Sequence, residues 1–380
     1  MTNPPAMRIF VPREVYPGET RAPLTPATVI RLAKLGAQVD VESDIGATIY
    51  QSDQRYREAG AAISNDRKAS LAQADMVLRL RMPPAEEIPG MKRGSLHVSY
   101  LDPFTDIERV RNLAAAGVTA ISMQMIPRST VAQKMDALSS QANLAGYISV
   151  IIAAERLGKI LPMMTTPAGT IRPAKVFVIG VGVAGLQAIA TAKRLGAQIE
   201  GFDTRPVVEE QVRSLGARFV KADLGETGQT AQGYAKELTP EQLAKQREVM
   251  AQHCAPADVV ITAAQVFGRQ APRILTTEMV KTMSPGSVVV DLAVETGGNV
   301  ECSRPDEEIE VAGVKIVGIA NMPRRVARTA SEMYSSNLGN LIEHFWDKGA
   351  ATFGLNLEND ILKACVLTHG GEIVHPQFKS

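Results

Sequence analysis

At 380 residues, 45% hydrophobic and 21% charged, the chain has the composition of a globular protein with enough material for two cores, which excludes a disordered or fibrous one. Its 41 basic and 40 acidic residues leave a formal charge of +1 and form no long block of one sign, which argues against nucleic acid as a partner. Cys254, Cys302 and Cys365 match no metal-ligand spacing and the five histidines show no zinc-like pairing, so no metal is expected and the thiols read as reduced packing residues of a cytoplasmic protein.

The first stretch alternates strand and helix patterns: Arg8–Val11, then helical periodicity from Pro26 to Leu35, then Gln38–Glu42, with further strands at Met76–Leu80 and Val118–Ile121. Met1–Ile9 carries no signal-peptide run, and no segment is expected to reach the roughly 20 apolar residues that span a bilayer. The longest apolar one, Ala142–Leu157, is interrupted by Asn143, Tyr147, Glu155 and Arg156, so a single packed helix over Ser140–Gly158 is predicted as a link between domains. A second series opens at Lys175–Ile179 and continues with strands at Gln198–Phe202, Val259–Ala263, Ser287–Leu292 and Val314–Ile319; Arg328–Trp346 reads as a helix that returns to the first domain. The expected fold is α/β, two Rossmann-like doubly wound parallel sheets joined by a long helix, with residues 1–140 and 326–380 in one domain and 141–325 in the other.

The sharpest motif is Gly180-Val181-Gly182-Val183-Ala184-Gly185, which follows a strand pattern and opens the predicted helix Ala184–Leu195. Gly180 suits the tight turn, Gly182 lets backbone approach a pyrophosphate, and Gly185 lets helix and strand pack closely. The helix amino terminus offers free N–H groups and the positive end of its dipole. Asp203, about 20 residues further on, is placed to accept from adenosine ribose hydroxyls and to repel a 2′-phosphate. The reading is therefore NAD(H), although Arg205 is a residue type that can accommodate that phosphate.

Ahead of the apolar helix, Met125 to Ser140 gathers Arg128, Gln133, Asp136 and Ser139. Such groups can hold a carboxamide and a charged ring, or can be a solvated loop in which Asp136 or Ser139 caps the helix. This run, continuing to Asn143-Leu144-Ala145-Gly146-Tyr147, resembles a loop of the NAD(H)-binding component of the proton-translocating nicotinamide nucleotide transhydrogenases. Gly180 to Ala188 and Asp291 to Asn299 resemble the same family, and the likeness extends from Pro12-Arg13-Glu14 and Gly18-Glu19-Thr20-Arg21 to Gly371–Pro376. The alanine dehydrogenases share the architecture, the pattern ending in Arg21, and the Asn321-Met322-Pro323 region. Where their pattern has a histidine acid/base this chain has Asp102, and where they have a catalytic aspartate it has Glu295. An oxo-acid reduction needs a proton donor matched to neutral pH, which histidine supplies and a carboxylate supplies poorly. Hydride exchange between two nicotinamides moves no proton at the carbon centres and can dispense with it.

The resemblance implies direct hydride transfer from C4 of NADH to C4 of NADP+, with NADP(H) on a partner subunit, and catalysis by alignment. It assigns Arg128, Gln133, Asp136 and Ser139 to the nicotinamide end, with Ser129, Thr130 and Val131 beside them. Gly180, Gly182, Val183, Gly185, Asp203, Thr204, Arg205 and Gln265 fall to the rest of the nucleotide. Gln232 to Leu238, with Gly233 and Tyr234, matches the tip of a family loop that closes over nucleotide, and on residues alone is equally a surface loop before a helix. Glu295 is read either as a nicotinamide contact or as a cap for the glycines after it. The resemblance further implies a homodimer, held at the inner face of a membrane by a membrane-embedded and an NADP(H)-binding subunit.

Overall fold

Short apolar strands and helices with one apolar face alternate from the start of the chain. The structure, a computed structural model, describes residues 6–225, 227–229 and 238–379. In chain order β1 (Arg8–Val11), α1 (Pro26–Lys34), β2 (Gln38–Glu42), α2 (Asp53–Glu58), β3 (Ala62–Ser64), α3 (Arg67–Gln73), β4 (Met76–Leu78), β5 (Leu96–Ser99), α4 (Ile107–Ala115) and β6 (Thr119–Ser122) build the first sheet. Pro26 at the first turn of α1 gives up an N–H that has no helical partner, and Val29 and Leu32 bury one face. The long helix α5 (Ala137–Arg156) follows.

The hairpin β7 (Met164–Thr166) and β8 (Gly169–Ile171) precedes the second series: β9 (Lys175–Ile179), α6 (Val183–Arg194), β10 (Gln198–Phe202), α7 (Glu209–Ser214), β11 (Arg218–Phe219), α8 (Pro240–Cys254), β12 (Val259–Thr262), α9 (Thr277–Lys281), β13 (Val288–Asp291), β14 (Glu307–Val311) and β15 (Val314–Gly318). The chain then returns through α10 (Ala327–His344), β16 (Trp346–Asp347), β17 (Thr352–Phe353), α11 (Asp360–Cys365), β18 (Val366–His369) and β19 (Glu372–Ile373). One unit comprises Met1–Gln141 with Arg324–Ser380, the other Ala142–Pro323.

In the first unit the strand order is β19-β18-β6-β5-β4-β1-β2-β3, parallel from β3 to β6, with β18 and β19 antiparallel at the edge. In the second it is β11-β10-β9-β12-β13-β15-β14, parallel from β11 to β15, with β14 antiparallel at the edge. Both sheets run outward in two directions from their first strand, the doubly wound arrangement, and strand order reverses beside β9 at its boundary with β12. Phe177, Ile179, Phe202, Met250, Val260, Val289 and Ile316 share a core of the second unit. Cys254 and Cys365 lie buried with thiols pushed up to about 12 by burial, and all three cysteines are free.

Several elements depart from the sequence reading. The strands β5 and β14 were not expected: β5 reads Leu-His-Val-Ser and hides a buried histidine, while β14 reads Glu-Glu-Ile-Glu-Val and lies at an edge where polar side chains reach water. Helix α5 begins at Ala137 rather than Ser140. It is also, against expectation, long and apolar enough to cross a membrane by length and composition alone. Its packing is that of a core helix: a Cβ on Gly146 would lie 2.1 Å from the Ala184 carbonyl oxygen, so α5 and α6 touch backbone to backbone there.

Candidate nucleotide site

The loop from Gly180 to Gly185 leaves the carboxyl end of β9 at the point where strand order reverses. Gly180 has φ +88°, and a Cβ there would lie 2.6 Å from the Ala264 nitrogen, so the turn is closed against the chain leaving β12. A Cβ on Gly185 would lie 2.1 Å from the Gly180 carbonyl oxygen, which fixes the seat of α6 over the loop. Gly182 is different: among the described residues nothing lies within 4 Å of where its Cβ would be. Gly182 is also the residue that precedes α6, and no described side chain caps that helix. Its first N–H groups, beside Val183, thus face open space with the positive end of the helix dipole behind them, which fits a pyrophosphate.

Asp203 follows β10 directly and is nearly buried. Its Oδ2 accepts from the Val181 N–H at 2.7 Å, joining it to the glycine loop. Its Oδ1 accepts from the Arg205 N–H at 2.9 Å, and the Arg205 guanidinium bridges both oxygens through Nε at 2.8 Å and Nη2 at 2.7 Å. That hydrogen bond raises the Arg205 pKa further, burial opposing it. Thr204 lies between them, its carbonyl accepting from the Thr227 hydroxyl at 2.6 Å.

A second loop, Ala263-Ala264-Gln265, meets the first at Gly180. Two buried side chains hold it. Asn299 donates from Nδ2 to the Ala264 and Pro272 carbonyls, both at 2.8 Å, and accepts from the Ala264 N–H at 3.0 Å. Asp291, fully buried, accepts from the N–H groups of Ala293, Asn299 and Val300. Gln265 donates to the Leu292 carbonyl at 3.1 Å. The roles of Asp291 and Asn299 as organisers were not read from the sequence, although both stand in the Asp291–Asn299 run singled out there. The Glu295 carboxylate reaches forward to Asn321 instead of capping the glycines after it: its Oε2 accepts from the Asn321 N–H at 2.9 Å.

In the first unit the polar run is a turn and a cap. Arg128, Ser129, Thr130, Val131 and Gln133 are exposed, and the Gln133 N–H donates to the Ser129 carbonyl at 2.9 Å. Asp136 precedes α5 and caps it: Oδ1 accepts from the Ser139 N–H at 2.8 Å and Oδ2 from the Ser139 hydroxyl at 2.6 Å. The structure thus brings Arg128, Gln133, Asp136 and Ser139 into one short segment. Tyr234 and Gly233 lie outside the described residues. Asp102, at φ +38°, is tied to Gln124, whose Oε1 accepts from the Asp102 N–H and whose Nε2 donates to Oδ1 at 2.8 Å. Nearby in the chain's first pattern, Glu19 is buried between Arg21 at 2.7 Å and Arg81 at 3.1 Å. Burial pushes the Glu19 carboxyl up, but the hydrogen bonds and charge of Arg21, with Arg81, hold it at about 2.

A glycine cradle, an uncapped helix and a strand-end carboxylate at the reversal point of a doubly wound sheet define a dinucleotide-binding α/β protein. The N-terminal and C-terminal domains of the alanine dehydrogenase/PNT family match residues 10–145 and 149–376. An NAD(P) transhydrogenase alpha subunit of Rhodospirillum rubrum is 42% identical over 377 residues, 97% of this chain and 98% of its own length. The crystal structure of a transhydrogenase from Sinorhizobium meliloti superposes with a TM-score of 0.87 at 44% identity, covering 97% of this chain and all of that one. An L-alanine dehydrogenase structure is more distant, at 28% identity and a TM-score of 0.79 over 98% of both chains. The chain belongs to the alanine dehydrogenase/PNT family and, within it, stands with the NAD(P) transhydrogenase alpha subunits.

Proposed function

We propose that this chain is the NAD(H)-binding component of a proton-translocating transhydrogenase, and that hydride passes directly between its NADH and an NADP+ held by a partner subunit. The observation that carries the reading is the open cradle at Gly182 under the uncapped start of α6, with Asp203 beside it, in a chain of this family. When bound, the dihydronicotinamide supplies the hydride. The first N–H groups of α6 hold the pyrophosphate, and Asp203 accepts from the adenosine ribose. Arg128, Gln133, Asp136 and Ser139 orient the nicotinamide and its carboxamide, with Ser129, Thr130 and Val131 beside them, and Gln265 serves the adenosine half. Tyr234 and Gly233 belong to the segment that closes over the nucleotide. Their contribution is alignment and exclusion of water, since hydride exchange between two such rings needs no proton donor.

Partners follow from the same reading: a second copy of this chain as homodimer, a membrane-embedded subunit that moves the proton, and an NADP(H)-binding subunit, with this chain at the cytoplasmic face. Asp102 supports the choice of reaction, because a carboxylate tied to Gln124 is poorly suited to protonate an oxo-acid substrate at neutral pH. Mixing the purified chain with an isolated NADP(H)-binding transhydrogenase subunit is expected to give NADH-dependent NADP+ reduction followed by absorbance. L-alanine-dependent NAD+ reduction by the chain alone, with no exchange in the mixture, would overturn the proposal in favour of an alanine dehydrogenase.

A further inference from the structure

The carboxylate that a ribose must reach is already full. A carboxylate offers about four lone-pair positions. In Asp203 they are taken by the Val181 and Arg205 N–H groups and by Nε and Nη2 of Arg205, at 2.7 to 2.9 Å. The two backbone donors belong to the glycine loop and to the turn after β10, and they stay while those turns exist. The two guanidinium donors sit on a flexible side chain that also reaches the Val181 carbonyl at 3.2 Å, and the pair is 13% and 6% exposed.

We infer that Arg205 is a latch on Asp203: its guanidinium holds the two carboxylate positions that a ribose diol takes, and it swings off when NADH binds. This rests on the reading that the Gly180–Gly185 loop binds the dinucleotide. The count matches, since two donors leave and two hydroxyl donors arrive. The same residue sets nucleotide preference. A 2′-phosphate brings acceptors and negative charge to Asp203, which has no use for them, whereas the displaced guanidinium offers that phosphate a planar fork. Arg205 therefore works against NADH and for NADPH, and acts as a positioning residue through Asp203.

The test measures dissociation constants of NADH and NADPH for the full chain by nucleotide fluorescence, together with thermal midpoints without nucleotide. R205A is expected to bind NADH roughly two- to fivefold tighter, as befits loss of a competing ion pair of ordinary strength, and NADPH more weakly, so that discrimination widens. Its nucleotide-free midpoint falls, a loss that a merely structural arginine would share, but such an arginine would leave both nucleotides weakened together. NADH binding to R205A that is unchanged or weaker overturns the latch while leaving the nucleotide-binding reading intact. Should R205A fail to fold, R205K keeps the charge without the fork and is expected to lie between; R205K no tighter than the unaltered chain for NADH overturns it equally. Failure of the unaltered chain to bind NADH would overturn both readings.

Discussion

Gly180 and Gly182, with a single residue between them, do different work, and one added carbon separates them. Ala at position 180 forces a Cβ into the backbone of Ala264 at 2.6 Å and holds a side-chain residue at φ +88°. Such strain costs about 1–3 kcal/mol before the clash is relieved, so Gly180→Ala should lower the thermal midpoint by several degrees. At position 182 the backbone lies at φ −86°, and the carbon meets open space. Gly182→Ala should leave the midpoint unchanged and weaken NADH binding, because the carbon occupies the place of a phosphate. A midpoint lost at 182, or NADH affinity kept there, would mean that the cradle has another purpose. The spacing in the sequence named all three glycines of the motif together; which one is structural and which faces ligand depended on what lies beside each, and Ala264 stands far along the chain from Gly180.

At the scale of elements, α5 shows why a polar run is ambiguous until its hydrogen bonds are drawn. Both Asp136 oxygens are engaged by Ser139, so the carboxylate starts the helix whatever else it does. Asp136→Ala should cost about 1 kcal/mol of stability in denaturant unfolding, and Asp136→Asn, which keeps an acceptor for the Ser139 N–H, clearly less. Equal losses would show that the charge rather than the cap is what the helix needs. The periodicity of α1, β2, β9 and β10 was legible residue for residue, because those elements bury a regular face. The strands β5 and β14 were not. A histidine in a four-residue strand breaks the apolar run that marks buried β structure, and an edge strand rich in glutamate keeps its side chains in water, so neither looks like the strand it is.

At the scale of the molecule, buried ionisable groups tie the fold to pH. His97 is fully buried on β5, its Nε2 3.0 Å from the Ser99 hydroxyl, and burial together with the charge of Arg79 lowers its pKa to about 3. The unfolded chain takes up a proton there near pH 6.5, which the folded chain refuses until about 3. This contribution is therefore complete above pH 6.5 and is lost as pH falls toward 3. Glu19, held at about 2, adds a second loss from about pH 4.5 downward. Glu14 opposes the first, because burial raises its pKa and the unfolded chain sheds that proton more readily as pH climbs past 4.5. The comparison of His97→Gln with the unaltered chain isolates the histidine: urea midpoints of the variant should depend less steeply on pH between 6.5 and 4.5. An identical slope would place the acid sensitivity elsewhere.

What the sequence by itself determined was the order of strands and helices, the doubly wound class, the dinucleotide motif and the family, because those are written in local periodicity and in long contiguous runs. What the tertiary structure decided was the use of each side chain. Asp203 is shared with Arg205, Asp291 and Asn299 hold a loop rather than a ligand, Glu295 bonds to Asn321, and Asp102 answers to Gln124. Gln124, Asn321 and Ala264 stand 22 to 35 positions from the side chains they bind, and only the folded chain brings them within hydrogen-bond reach.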